Sequence, residues 1–385
     1  MKLEKTAADF FAGIGLVTMG LLKQGWQVKY ALDHNEEKCL MYQGNFGGEH
    51  YHCKNIKEIT GAKVPQITLA HASFPCTNIS VAGSRSGLHS GESSTFWEFI
   101  RLISEIGEIH SMNKPPLILI ENVEGFLTSG YRKDLIIALK ALNNLGYAVD
   151  ILVIDAAHFV PQSRVRLFIV GNLFGLSHTS NDIEHIMSQQ TCARPQKVKD
   201  FIAANPTIRW NLRNLPDLPQ RTICLADIVD QTEKWWTKER TEYLFNQMFE
   251  RHKAQIRLMM QNEYWSYGTV FRRTRIRDCT KQSTAELRID GIAGCLRTPK
   301  GGSARQIIVR SGKRCFDARL INARESACLM GAPEYLIPQN VSFNNILFGF
   351  GDAVCVPVIE WIVKNYLNPL FDELNSTLKA SLPTA

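Results

Sequence analysis

The sequence runs to 385 residues, 45% apolar and 21% charged, which excludes a disordered chain and suffices for one large domain beside a smaller one. No run reaches the roughly 18 apolar residues of a membrane span, and Asp9 interrupts the apolar stretch after Lys2 and Lys5, so neither a membrane nor a secretory role is expected. The net charge of +7 is gathered in residues 271–319, where thirteen Lys/Arg face four Asp/Glu, and so concentrated an excess points to a polyanionic partner.

In chain order, short apolar runs at 7–11, 28–32, 67–72, 117–120, 148–154 and 167–170 read as strands. Between them, Phe96, Phe99, Ile100, Ile103 and Ile106, then Leu135, Ile136, Leu139 and Leu142, recur at helical spacing. This alternation over residues 1–172 implies an α/β domain, a mostly parallel sheet with helices on both faces and ligands beyond the carboxyl ends of its strands. After Asn172 the rhythm stops. Residues 173–220 are polar and carry Pro195, Pro206, Pro216 and Pro219, and 235–262 reads as helical with Trp235, Trp236, Tyr243, Phe245 and Phe249. The basic stretch follows, with a glycine-rich segment at 291–302, and α/β character returns at 347–367. The expected organisation is residues 1–172 plus 341–385 as one domain, with 173–340 inserted as a second.

The ten cysteines are scattered, without the close pairs that announce structural zinc, so no metal is expected. The group His50, His52, Cys53 lacks a second half and reads as a surface loop. Cysteines so placed are expected to be free, in a reducing cytoplasm.

Four local patterns carry chemistry. Asp9-Phe10-Phe11-Ala12-Gly13-Ile14-Gly15 follows a strand and precedes a helix, and its glycines let the backbone turn sharply and approach a ligand. Asp33 ends the next strand, where it can hold a ribose, while Thr18 occupies the slot of the third glycine of a dinucleotide fingerprint; a nucleoside without pyrophosphate fits better. Ser73-Phe74-Pro75-Cys76 places a cysteine on a loop at a strand's carboxyl end, where a thiolate can act as nucleophile. Glu121-Asn122-Val123 brings a carboxyl group out of an apolar strand, an environment suited to acid catalysis, and Gln162-Ser163-Arg164-Val165-Arg166 sends alternate arginines to one side of another.

In this order and at these spacings the motifs resemble the DNA cytosine-5 methyltransferase family, from residue 6 to about 365. Two later segments add to the likeness: Arg324-Glu325-Ser326-Ala327-Cys328-Leu329-Met330-Gly331 and Gly351-Asp352-Ala353-Val354. The resemblance implies a Rossmann-like S-adenosylmethionine-dependent methyltransferase sheet with an inserted target-recognition domain. It implies that Cys76 attacks carbon 6 of a flipped cytosine, that Glu121 protonates N3, and that Arg164 and Arg166 hold the base and nearby backbone. Phe11, Gly13, Gly15, Asp33, Asn55, Phe74, Asp352 and Val354 would bind S-adenosylmethionine, and residues 81–88, with Gly83 and Gly87, would form a closing lid. Asn55 and Asp352 stand where the family usually has Asp and Asn, and Cys295-Leu296 where Thr-Leu is usual.

The implied partner is double-stranded DNA, bound by a cytoplasmic monomer, with a restriction endonuclease of the same site as companion rather than contact. In the inserted domain Arg272, Arg273 and Arg275 are expected on phosphates, and Arg297 or Arg305 on guanine. An RNA cytosine-5 methyltransferase would use the same motifs, but the insert of well over a hundred residues is large for one. A catalytically dead nucleic-acid binder would lack the cysteine or the glutamate, and a nicotinamide oxidoreductase would leave both idle.

Overall fold

The computed structural model describes residues 2–74, 95–110, 114–128, 132–174, 180–189, 191–277, 280–298 and 305–380. The chain forms two compact units: Met1–Asp155, Val165–Leu218 and Val358–Ala385 make the first, and Ala156–Arg164 and Pro219–Pro357 the second.

The first unit is built on strands β1 (Thr6–Phe10), β2 (Gln27–Asp33), β3 (Tyr51–Cys53), β4 (Leu69–Ala72), β5 (Leu117–Val123), β6 (Ala148–Asp155) and β7 (Val165–Asn172). They lie in the order β3-β2-β1-β4-β5-β7-β6, with β7 antiparallel to both its neighbours and the other pairs parallel. Every residue of β1 and β4 is buried, as expected for central strands covered on both faces. Strand order reverses between β1 and β4, so a crevice opens at their carboxyl ends.

The flanking helices are α1 (Leu16–Lys23), α2 (Glu36–Phe46), α3 (Thr95–Ile109) and α4 (Lys133–Asn144), then α5 (Ser180–Ser188) and α6 (Gln196–Ala203). Phe96, Phe99, Leu102, Ile103 and Ile106 put one stripe of α3 into the core, against Ala70, Ala72, Ile118 and Ile120 on one face of the sheet. Asn35 caps α2 by accepting the Lys38 N–H.

Two expectations change here. Residues 51–53, read as loop, form edge strand β3, too short to show a period, and the strand brings Cys53 against Cys39 of α2. The two are joined in a disulfide with Cα atoms 6.1 Å apart, so the cysteines are not all free. Residues 173–218 belong with the sheet rather than with the insert. Asp150 of β6, fully buried, accepts from Arg194 (Nε at 3.2 Å), from the Tyr366 hydroxyl at 3.0 Å and from the Arg213 N–H at 3.2 Å. Backbone bonds Val149 N–H to Arg209 O and Asn211 N–H to Val149 O lay the segment along β6. No periodicity in a proline-bearing stretch could have shown this attachment.

The second unit holds an antiparallel sheet of β8 (Ser266–Arg277), β9 (Thr280–Arg288), β10 (Gln306–Gly312) and β11 (Cys315–Leu320), in the order β11-β10-β8-β9. Helices α7 (Leu225–Ile228), α8 (Lys238–Asn246) and α9 (Glu250–Met260) accompany it. Leu244, Met248 and Ile256 pack on Val270, Ala285, Ile307, Val309 and Ala318. The expected helical region at 235–262 is thus α8 and α9, and the basic stretch is the β8–β9 hairpin with β10 and β11. Helix α10 (Ala323–Leu329) starts at a capping box of Asn322 and Glu325, and Glu325, fully buried, also binds Arg319 at 2.5 and 2.8 Å.

Helix α11 (Phe343–Asp352) belongs to this unit too, which moves the end of the second unit from 340 to 357. Helices α12 (Val356–Ile362) and α13 (Asn368–Ala380) are joined by a π-helical turn. The run Phe343–Lys379 is apolar and long enough to cross a membrane, a possibility the count of consecutive apolar residues had excluded. Its most apolar window is 67% buried inside the protein, as in a core helix.

Candidate active site

The described residues of the first unit that the sequence singled out as candidates lie at the carboxyl edge of the sheet. After β1 the chain turns through Phe11 (φ 61°), Gly13 (φ 57°) and Gly15 (φ 85°) into α1. A side chain on Gly15 would meet the rings of Phe46 and Tyr42, whereas one on Gly13 finds nothing nearer than 4.0 Å. Gly13 therefore fronts open space at the head of the crevice. The Asp33 carboxylate accepts the Gly13 N–H at 2.9 Å through Oδ2 and the Asn35 N–H at 3.0 Å through Oδ1. A carboxylate has about four lone-pair sites, so two remain for hydroxyl donors such as those of a ribose. Thr18, in the place of a third glycine, gives its hydroxyl to Asp9 at 2.8 Å. Asn55 begins a 3₁₀ turn after β3, its side-chain oxygen accepting from Lys57 N–H. One lone pair of that oxygen is left for an amino group.

On the far side of the reversal, Phe74 follows β4 and is buried against Phe96 and Phe126, and its carbonyl accepts from the Asn122 side chain at 3.4 Å. Glu121, 6% exposed, ion-pairs with Arg166 of β7, Nε to Oε1 at 2.9 Å. The antiparallel register sets Val123 opposite Arg166, which is why residues so distant in sequence meet. The carboxyl that emerges from this apolar strand is thus held by a guanidinium. Cys76, the expected nucleophile, and the expected lid at 81–88 lie outside the described residues.

Arg164, expected on the base and nearby backbone, binds backbone carbonyls of its own unit. It is 2% exposed, and its guanidinium donates to the carbonyls of Leu296 (3.0 Å), Gly351 (3.0 Å) and Ala353 (2.5 Å) within the second unit. Asp352, which accepts the Thr298 hydroxyl, and buried Val354 also belong to the second unit.

The second unit has an open cavity of about 350 Å³ lined by Thr269, Phe271, Arg273, Glu286, Arg288 and Arg297 among others. Arg273 is paired with Glu286 at 3.3 Å, Arg288 with Asp290 at 2.7 Å, and outside the cavity wall Arg305 donates to Asn344 at 2.6 Å. Arg297 lies over the Phe271 ring, 5.5 Å from its centroid, as does Arg273 at 5.2 Å. Arg272 and Arg275 are both on β8, opposite Ala285 and Gln282 of β9.

A doubly wound sheet with one antiparallel strand set next to its edge, a glycine turn after the first strand and an acidic residue at the end of the second is the architecture of the S-adenosylmethionine-dependent methyltransferases. Comparison with known proteins then fixes the branch: the family model of C-5 cytosine-specific DNA methylase matches residues 6–368, and the chain belongs to that family. It is 24% identical over 364 residues to Type II methyltransferase M.Bsp6I of Bacillus sp. (strain RFL6), covering 93% of this chain and 97% of that one. It is 26% identical over 360 residues to Type II methyltransferase M.NlaX of Neisseria lactamica, covering 92% and 94%. The fold is shared with the crystal structure of S. pombe Dnmt2 methyltransferase, at a TM-score of 0.59 and 17% identity over 95% of this chain and 99% of that one.

Sequence reasoning did not single out His71, and it named Asp9 and Ser73 only as members of their motifs. His71 Nδ1 lies 2.7 Å from Asp9 Oδ1, and its Nε2 lies 3.2 Å from Ser73 Oγ. A histidine and a serine two apart at the end of an apolar strand were the available signal.

Proposed function

We propose that this chain methylates carbon 5 of a cytosine flipped out of a specific duplex DNA sequence, as the modification enzyme of a Type II restriction–modification pair acting in the cytoplasm. The observation that carries this reading is the family match from residue 6 to 368 together with the Glu121–Arg166 pair at the carboxyl edge of the sheet. Cys76 adds to carbon 6, and Glu121, oriented by Arg166, binds and protonates the ring at N3. Carbon 5 then becomes electron-rich enough to take a methyl group. S-adenosylmethionine supplies that group when bound. Phe11, Gly13, Gly15 and Phe74 shape its pocket, Asp33 holds the ribose and Asn55 the adenine amino group. Arg164 braces the second unit from within.

The second unit, with its basic hairpin, reads the DNA. Arg272, Arg273 and Arg275 contact phosphates, and Arg297 is favoured over Arg305 as the base reader, because Arg305 is engaged by Asn344. The protein acts as a monomer, and the endonuclease of the same site does not touch it.

The test is transfer of radiolabelled methyl groups from S-adenosylmethionine to duplex DNA and to tRNA, followed by sequencing of methylated DNA from cells expressing the chain. The expected result is one methylated cytosine per copy of a short duplex sequence. Turnover on tRNA with none on duplex DNA would overturn the reading.

A further inference from the structure

The buried groups between β1, β4 and α1 form a continuous chain that the mechanism above leaves unused. Asp9, His71 and Thr18 are at most 1% exposed. His71 Nδ1 contacts Asp9 Oδ1 at 2.7 Å, Thr18 Oγ1 donates to Asp9 Oδ2 at 2.8 Å, and Thr18 meets the Tyr42 hydroxyl at 3.1 Å, which in turn meets His50 Nε2 at 3.0 Å. At the other end His71 Nε2 faces Ser73 Oγ at 3.2 Å, and Ser73 alone of these three, Asp9, His71 and Ser73, is half-buried.

The donors and acceptors of this chain settle one another. Burial, and next the charge of Asp9, hold the Tyr42 phenol well above its ordinary pKa, so it stays protonated. The Asp9 carboxylate accepts from Thr18 on one side, and its other oxygen takes the His71 Nδ1–H. That fixes the tautomer in which His71 Nε2 is the free base, the arrangement in which a carboxylate-held imidazole draws a proton from a serine hydroxyl. An Asp–His pair inside a sheet is costly to bury, and apolar residues would pack there as well.

The register places the open end at the reaction. Asp9 pairs with His71 and Phe10 with Ala72, while His71 pairs with Leu119 and Ala72 with Ile120. Ser73 directly follows Ala72 and Glu121 directly follows Ile120, so the two come next after paired residues at the carboxyl ends of adjacent strands. Ser73 is also three residues before Cys76. The methylation of carbon 5 is completed only when the proton on that carbon leaves, and no residue has been given that task.

We propose that Ser73 and His71 take up the carbon 5 proton, a reading that rests on the cytosine-5 activity. Ser73 Oγ accepts the proton from carbon 5 and passes its own to His71 Nε2, giving an imidazolium held by Asp9. The electrons of the C–H bond form the carbon 5–carbon 6 double bond, and the carbon 6–sulfur bond breaks to return Cys76 as thiolate. The proton returns to solvent through Ser73 when the product leaves.

Full-length wild-type protein, Ser73→Ala and His71→Gln are compared in single turnover on duplex DNA carrying cytosine tritiated at carbon 5, with S-adenosylmethionine. In the wild type, methyl incorporation and tritium release keep step. In both variants tritium release is expected to slow by about a hundredfold, as for loss of a general base. Methyl incorporation proceeds, so a denaturation-resistant protein–DNA complex builds up on ordinary cytosine. Ser73→Ala removes one half-buried hydroxyl and keeps the fold, so it decides the matter should His71→Gln unfold. Equal slowing of methyl incorporation and tritium release, or tritium release unchanged in Ser73→Ala, would overturn the proposal. A wild type that neither releases tritium nor methylates DNA would instead sink the cytosine-5 reading itself.

Discussion

Gly13 and Gly15 are two residues apart in one turn, yet alanine at each should fail differently. Both have positive φ, 57° and 85°, so a methyl group at either strains the backbone by about 1–2 kcal/mol. At Gly15 the new carbon would overlap the Phe46 ring and lie 2.7 Å from Tyr42 Cδ2. Phe46 can shift, but Tyr42 is fully buried and tied through its hydroxyl to Thr18 and His50, so overpacking adds about 1–3 kcal/mol. Gly15→Ala should therefore lose about 2–5 kcal/mol of stability in denaturant unfolding. At Gly13 the nearest atom is 4.0 Å away, so only the backbone strain remains. The methyl group there stands in the space assigned to S-adenosylmethionine. Calorimetric titration should show its affinity reduced by about tenfold or more, which is about 1.4 kcal/mol. Equal destabilisation by the two substitutions, or an unchanged affinity in Gly13→Ala, would refute the assignment of that space.

Breaking the buried Asp150–Arg194 pair by Arg194→Met should cost about 3–5 kcal/mol in denaturant unfolding, because it removes one member of a buried ion pair and leaves the other without its main partner. The two arginines flanking Val165 should separate in function. Arg166→Gln lowers kcat on duplex DNA, toward the roughly 10²–10⁴-fold loss expected of Glu121→Gln, while Arg164→Gln chiefly lowers the melting temperature of the second unit. Neutralising Arg272, Arg273 and Arg275 together should flatten the salt dependence of DNA binding by about one logarithmic slope unit for each phosphate no longer neutralised, read by salt titration on cognate and scrambled duplexes. An unchanged slope would make them a solvated face.

Much of the sheet was legible because its strands are buried runs, and α3 and α4 because their apolar residues recur at one face. Asp33, Phe74 and Glu121 stand at strand ends, where chemistry was expected. What the sequence concealed has a common cause: polar contacts made across the fold. The bonds of Asp150 that bring residues 194–213 to β6, the Arg166 grip on Glu121, and the carbonyls that claim Arg164 leave no periodic trace. The three-residue strand β3 is below the length at which alternation can be seen. Asp9 and His71 pair because the register of β1 and β4 sets them opposite each other, which one strand read by itself cannot reveal.

The central claim, a covalent cytosine-5 mechanism through Cys76, is tested most directly by trapping. Duplex DNA containing the recognition sequence with 5-fluorocytosine at the target position is incubated with the protein and S-adenosylmethionine, and the product is denatured, digested and mapped by mass spectrometry. Fluorine cannot leave carbon 5 as a proton does, so a methylated adduct linked through the Cys76 sulfur should accumulate, and Cys76→Ser should form none. A linkage through any other residue, or methylation of ordinary cytosine by the Cys76→Ser protein, would contradict the mechanism.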